Sequence, residues 1–280
     1  MMGLGRNTGL LGWLRSQRGI FLLRERLRGV WFALRPDNVR FARRGEDGLP
    51  VPPAHLIMKI SGDVRKADFV RSGQDCARAI SDALRAQGVE MARLGAIMDF
   101  GCGCGRIIRS WHTLDGVRVV GMDYNPQLVE WCSDNLPFAE FVVGTLRPPL
   151  KFGDDEFDVI YAYSVFTHLA EADQMPWRKE LARVLKPGGH LVVTTHGVKA
   201  LNADWPGGRP TRLEPSEREQ FDAGGLVVLR ENLSGLNACT AFHPVEYLRG
   251  DFAGEMELVA FLPGEAPWSG QDISVLRRRS

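Results

Sequence analysis

Along the chain, apolar positions recur first at helical spacing and later in short unbroken runs. Over residues 10–35, Ile20, Leu23, Leu27, Val30 or Trp31, and Leu34 fall at steps of three and four, with Arg24, Arg28 and Arg35 between them. That spacing predicts an amphipathic helix, stopped at Arg35-Pro36. A loop with Gly45, Gly48, Pro50, Pro52 and Pro53 follows, and residues 75–87 predict a second helix that Gly88 ends. From residue 95 the pattern changes. Residues 96–100, 116–123, 138–144, 157–164 and 190–197 read as strands. Residues 107–114, 126–136 and 175–185 read as helices between them, the last closed by Lys186-Pro187-Gly188-Gly189. Strands alternating with helices imply right-handed crossovers and a parallel sheet covered on both faces. Residues 198–250 are irregular, with short strands read at 226–231 and 238–242. The last two strands, 256–263 and 272–279, are separated by only a short loop. A parallel crossover needs about a dozen residues or more, so this pair is expected to be an antiparallel hairpin.

Composition narrows the class without naming a function. The chain has 280 residues, 44% hydrophobic and 25% charged, which is ordinary for a globular protein and excludes collagen, coiled coil and wholesale disorder. The net charge of +1 argues against a whole-molecule electrostatic nucleic-acid binder. The charge is uneven, however: ten arginines against four acidic residues give residues 1–50 a net +6, leaving −5 on the rest. We therefore read residues 1–50 as a basic amphipathic arm and 51–94 as a helical cap or lid. Through residues 10–35 the arm is expected either to lie on an anionic membrane surface or to dock its apolar face as a lid or dimer contact. Five cysteines, two of them one residue apart in a glycine cluster, fit no disulfide framework and point to a reducing compartment. No apolar run approaches the ~18 residues of a membrane span, and arginines interrupt any leader-like stretch. The expected location is cytoplasmic.

The sharpest chemical signal is Asp99-Phe-Gly-Cys-Gly-Cys-Gly105, which closes one strand and opens a helix. Gly101 and Gly103 permit a tight turn and a close approach of backbone to ligand, and the N–H groups beyond favour an anion. A dinucleotide fingerprint would want glycine at 106, where Arg106 stands, so a nicotinamide-dependent oxidoreductase is the weaker reading. Asp123 ends the next strand, placed to accept both hydroxyls of a ribose. Together these predict a nucleoside with an anionic tail on the glycine turn.

At these residues the chain resembles the class I S-adenosylmethionine-dependent methyltransferases. DFGCGCGR, GMDYNP, FDVIYAYSVFTHL and ELARVLKPGGHLVVTTHG look like that family's ordered motifs, covering about residues 95–197. The resemblance implies an α/β, Rossmann-like, seven-stranded mostly parallel sheet with helices on both faces, an antiparallel last strand and the order 3-2-1-4-5-7-6. It makes residues 95–280 the S-adenosylmethionine-binding domain, with an insertion at about 198–250. It implies that Asp99, Gly101, Cys102, Gly103 and Gly105 cradle the methionine part of the cofactor. Arg106 then either pairs with the cofactor carboxylate or extends into solvent. Asp123 would bind the ribose and Tyr124 lie against the adenine. Thr145 stands where family members often carry an acid for the adenine amino group, leaving that contact to the backbone of Leu146. Ala162 and Tyr163 would line the methyl side.

The expected function is methyl transfer to a small molecule (a sugar, polyketide or lipid-linked acceptor), with oxygen as the expected acceptor atom. The alternatives are a non-catalytic S-adenosylmethionine-binding regulatory module and an RNA or protein methyltransferase. His168, just past the fourth strand, is the first candidate base, and His196, ending the fifth, the second. His190 is expected to be structural, and His55, His112 and His243 carry no role. Cys102 and Cys104 lack partners at zinc spacing, so no metal is expected. Residues 50–73 and 198–250 are the expected specificity parts. They include Trp205, Arg209, Arg212, Phe221 and Phe242, with Pro52, Pro53 and Phe69 closing over the cofactor.

Overall fold

The computed structural model describes residues 45–61, 65–201, 213–230 and 239–280. The arm read at 10–35, and Trp205, Arg209 and Arg212, lie outside them. The chain divides into two units, Met1–Phe69 and Val70–Ser280. The described part of the first holds a short helix α1 (Ala54–Ser61) and the start of α2 (Lys66–Arg85).

The second unit is an open seven-stranded sheet. Its strands are β1 (Ala96–Phe100), β2 (Arg118–Asp123), β3 (Glu140–Val143), β4 (Phe157–Ala162), β5 (Leu185–Thr195), β8 (Met256–Leu262) and β9 (Asp272–Arg278). They lie in the order β3-β2-β1-β4-β5-β9-β8. β1 to β5 pair in parallel, while β9 is antiparallel to both β5 and β8. β1, β2 and β4 are almost wholly buried, as strands covered on both faces must be. Alternate residues then go to opposite cores. Met98, Phe100, Val120, Ile160 and Leu191 pack with Trp177, Leu181 and Val184 of α4 (Glu171–Val184). Ile97, Val119, Val159 and Val192 pack with Cys76, Ile80, Ala83 and Leu84 of α2. α3 (Pro126–Asn135) crosses from β2 to β3, started by Pro126 and capped by Asn125, whose side chain accepts the N–H of Gln127.

After β5 come α5 (Val198–Leu201), α6 (Pro215–Asp222) and a two-stranded antiparallel ribbon, β6 (Val227–Leu229) with β7 (Thr240–Phe242); α7 (Val245–Arg249) leads into β8. A small apolar cluster of Ala200, Phe221, Val227 and Phe242 holds the ribbon, and a single bridge joins Phe242 to His196 past β5. No helix among the described residues is long and apolar enough to cross a membrane.

Two local expectations change. The segment read as a helix over 107–114 is a 3-10 stretch, Ile108–Thr113. Three residues per turn stack Ile108, Trp111 and Leu114 on one edge, where all three join the core on the α2 side. The Trp111 indole N–H also donates to the Tyr161 hydroxyl at 2.9 Å, tying this edge to β4. Lys186-Pro187-Gly188-Gly189 does not separate helix from strand. It lies inside β5 as a bulge, since Leu185 pairs with Phe157 and His190 already with Val159.

Candidate functional site

The site forms at the carboxyl ends of the parallel strands, where open α/β sheets gather their loops. The chain leaves β1 through Gly101, Gly103 and Gly105, all at positive φ (+85°, +56° and +82°). Gly101 and Cys102 both donate their N–H to the Met122 carbonyl of β2, at 2.8 and 2.9 Å. A Cβ on Gly101 would fall 2.5 Å from Val165 Cγ2, and one on Gly105 2.6 Å from Leu136 Cδ1. The turn is therefore side-chain-free because there is no room, as well as because of its backbone.

Asp123 fixes this turn from β2. Its Oδ2 accepts the Gly103 N–H at 2.9 Å and its Oδ1 accepts the Asn125 N–H at 2.8 Å. The Tyr124 N–H is a third backbone donor to this carboxylate, which still has capacity for a ligand donor. Burial raises the pKa of Asp123, and these backbone donors pull it back. Asp99 lies deeper. Burial pushes it up to about 7, against the pull of the Tyr161 hydroxyl and the nearby Arg106. Cys102, Cys104 and Cys132 crowd the same turn, with Cys102 and Cys132 each placing Sγ 3.6 Å from the Gly103 carbonyl oxygen. All three are buried, and the Cys102 and Cys104 thiols are held well above their ordinary pKa, Cys102 by the neighbouring Cys132 and by burial, Cys104 by burial. Among the described residues no group of three or more His, Cys, Asp or Glu could hold a metal ion.

The ends of β2 and β3 present an apolar shelf: Tyr124, Val143 and Leu146 are large and exposed. Thr145 turns its hydroxyl to the Arg147 carbonyl, and the Leu146 carbonyl accepts the Trp177 indole N–H at 3.1 Å. Arg106 does not extend into solvent. Its Nη1 reaches Cys76 Sγ at 3.4 Å and its guanidinium lies 5.3 Å over the Tyr163 ring. Ala162 is fully buried in the core, so it meets the site only through its backbone, while Tyr163 donates its hydroxyl to the Pro267 carbonyl at 2.8 Å.

Beyond β4, a 3-10 turn (Phe166–His168) carries His168. Its Nδ1 donates to the Cys239 carbonyl at 2.8 Å, which fixes the tautomer and leaves Nε2 as an acceptor. Burial lowers the pKa of the ring below 6.5, with the Cys239 carbonyl pulling the other way, so it is neutral at neutral pH. His196 stands 6.5 Å away edge to face, but its Nε2 is taken by the Gln271 amide at 3.2 Å. His243 is bonded through Nε2 to Gln174 Oε1 at 2.8 Å. The sequence motifs run through Ser164, Val165 and Thr194 without giving them a role, and they do not reach Gln271. Their relation is one of long-range contact, and Ser164 takes φ +59° without the glycine that usually announces it.

His196 and His243 make an acid-lability test. Burial holds both near pKa 3 in the fold, against 6.5 when free. The unfolded chain takes up these protons first, so the stability they give is whole above pH 6.5 and falls as pH drops toward 3, by up to about 1.4 kcal/mol per pH unit for each ring. Asp99 acts oppositely, binding its proton in the fold near 7 and in the unfolded chain only near 3.8. A shallow decline between pH 6.5 and 4 and a steep one below 4 is expected from thermal melting across that range. A flat profile below pH 4 would contradict it.

Residues 98–193 match the family model described as a methyltransferase domain. The 2-methyl-6-phytyl-1,4-hydroquinone methyltransferase of Synechocystis sp. is 32% identical over 156 residues, covering 54% of this chain and 44% of the relative. A probable S-adenosylmethionine-dependent methyltransferase of Mycolicibacterium smegmatis is 30% identical over 177 residues, covering 57% and 63%. The chain thus matches less than two thirds of the length of either relative. Among solved structures, the CcbJ methyltransferase of Streptomyces caelestis shares the fold with a TM-score of 0.51 at 17% identity, over 75% of this chain and 90% of that one.

Proposed function

We infer that the chain is a class I S-adenosylmethionine-dependent methyltransferase, and on that premise we propose that it transfers a methyl group to an oxygen of a small-molecule acceptor. The observation that carries the proposal is one juxtaposition. The glycine turn bonded to Asp123 and the ring of His168, with Nε2 left as its acceptor, lie at the ends of neighbouring strands β1, β2 and β4.

The residues present fit the cofactor. At Gly101 and Gly105 the space a Cβ would take is already filled by Val165 and Leu136, so the turn presents only backbone to the cofactor. Asp123 offers its remaining lone pairs to the ribose hydroxyls while it holds the turn through Gly103. Tyr124 and Leu146 give the adenine an apolar surface. Arg106, steadied by Cys76 and Tyr163, stands beside the turn as the cation for the carboxylate end. When bound, S-adenosylmethionine supplies an electrophilic methyl on a sulfonium, and the protein's own task is positioning, which can contribute roughly 7–11 kcal/mol. His168 accepts the proton of the acceptor hydroxyl at Nε2, while its Nδ1–H stays on the Cys239 carbonyl and keeps the ring in the required tautomer. A sugar, polyketide or lipid-linked alcohol meets the chemical requirement.

Calorimetric titration with S-adenosylhomocysteine, followed by transfer of labelled methyl to metabolite pools with mass spectrometry of products, tests the reading. Asp123→Ala is expected to weaken cofactor binding by about tenfold or more, since a hydrogen bond to a charged group is worth about 1.5–3 kcal/mol. Unchanged affinity would remove Asp123 from the ribose site. Binding without transfer to any pool would overturn the enzymatic reading.

A further inference from the structure

The terminal hairpin closes on the site. β9 runs antiparallel to β5, so the loop before it, residues 263–271, arrives beside the carboxyl end of β5. There it grips two consecutive residues beyond β4. The Pro267 carbonyl takes the Tyr163 hydroxyl, and the Gln271 amide takes Ser164.

Gln271 is only 2% exposed and its side-chain amide is fully used. Oε1 accepts the Thr194 hydroxyl at 2.6 Å, and Nε2 donates to Ser164 Oγ at 2.8 Å and to His196 Nε2 at 3.2 Å. Thr194 Oγ1 in turn accepts the Ser164 N–H at 2.7 Å. Ser164 therefore has both its backbone N–H and its hydroxyl held, and it needs them. It sits at φ +59°, a conformation that a residue with a Cβ keeps only where its surroundings impose it. Two site elements depend on that bend. Val165, the next residue, fills the space beside Gly101. The Val165 carbonyl then accepts the His168 N–H at 2.9 Å, and Ser164 Oγ lies 3.2 Å from Thr167 Oγ1.

We propose that Gln271 is a positioning residue for methyl transfer: it holds Ser164 in its left-handed bend, and so sets Val165 against the glycine turn and orients the turn that carries His168. The proposal rests on reading this site as the cofactor site. A conventional packing role for Gln271 would affect stability alone, whereas a positioning role runs through the Ser164 backbone and is relieved when that backbone needs no support.

The test uses the whole chain, S-adenosylhomocysteine as the probe and thermal melting to confirm folding. Gln271→Met keeps the side-chain length and removes the three polar contacts; affinity is expected to fall about tenfold, the scale of one or two lost hydrogen bonds. Ser164→Gly takes positive φ without penalty, so the Ser164→Gly/Gln271→Met double variant is expected to bind within about twofold of Ser164→Gly alone. Thr194→Val, which removes the hydroxyl shared by Gln271 and the Ser164 N–H, is expected to show the same loss and the same recovery. It gives the reading if Gln271→Met does not fold. Wild-type affinity in Gln271→Met or Thr194→Val, or a double variant as weak as its parent, overturns the proposal. Failure of the wild-type chain to bind the probe overturns the cofactor-site reading itself and is told apart by occurring before any substitution.

Discussion

Replacing His168 with alanine is expected to lower kcat by about 10²–10⁴-fold, the usual worth of a positioned base, while the affinity for S-adenosylhomocysteine stays within about twofold. The split follows from where the ring is attached. Its Nδ1 bonds to Cys239, a residue outside the glycine turn and outside Asp123, so its loss leaves the cofactor cradle intact. The pH dependence has a fixed sign. Burial lowers the ring's pKa from 6.5, and only the neutral ring can take a proton. Activity should therefore hold down to pH 6.5 and fall below it, as pH drops through the lowered pKa. The acid limb should vanish in the residual activity of the alanine variant. Full turnover in His168→Ala would place the base elsewhere or dispense with one. His196 is a poor substitute, since its Nε2 already accepts from Gln271 and burial takes its pKa to about 3.

The second large effect is expected at Gly101→Ala, read as cofactor affinity. Two penalties combine there. At φ +85° any residue with a Cβ is strained, by about 1–3 kcal/mol. The new Cβ would also stand 2.5 Å from Val165 Cγ2, closer than two carbons pack. Val165 is β-branched and stiff at χ1, so it cannot simply turn aside. The turn or the Ser164–Val165 segment must move instead, and an affinity loss of about tenfold to a hundredfold is expected from 1.4–2.8 kcal/mol of misfit. Adding Val165→Ala removes Cγ2 and should restore the steric part while the backbone part remains. Calorimetry on the four proteins separates the two. An undiminished affinity in Gly101→Ala would mean that the turn is not the cradle.

The parallel sheet and the placing of Asp99 and Asp123 at strand ends were legible because they are local. Five short apolar runs between helical segments dictate buried parallel strands, and Asp99 and Asp123 each stand at the end of such a run. The antiparallel β8–β9 hairpin was legible from loop length alone. What escaped is what spacing cannot encode. His168 gets its tautomer from Cys239, 71 residues on, and Ser164 gets its bend from Gln271, 107 residues on. Arg106 was read as either pairing with the cofactor carboxylate or extending into solvent, and spacing could not show that it is stacked on Tyr163 and bonded to Cys76. The 3-10 winding of 108–113 likewise follows from the crowded edge it must fill.

One consequence follows from the place of β9 between β5 and β8. The strands cannot assemble in the order they are synthesised, because β8 has no neighbour until β9 has been laid down beside β5. The rung at Gln271 immediately precedes β9, so the wall behind the glycine turn closes only with the final strand. A partly folded chain would lack a competent pocket, and an adenosyl ligand would select the finished molecule and stabilise it by mass action.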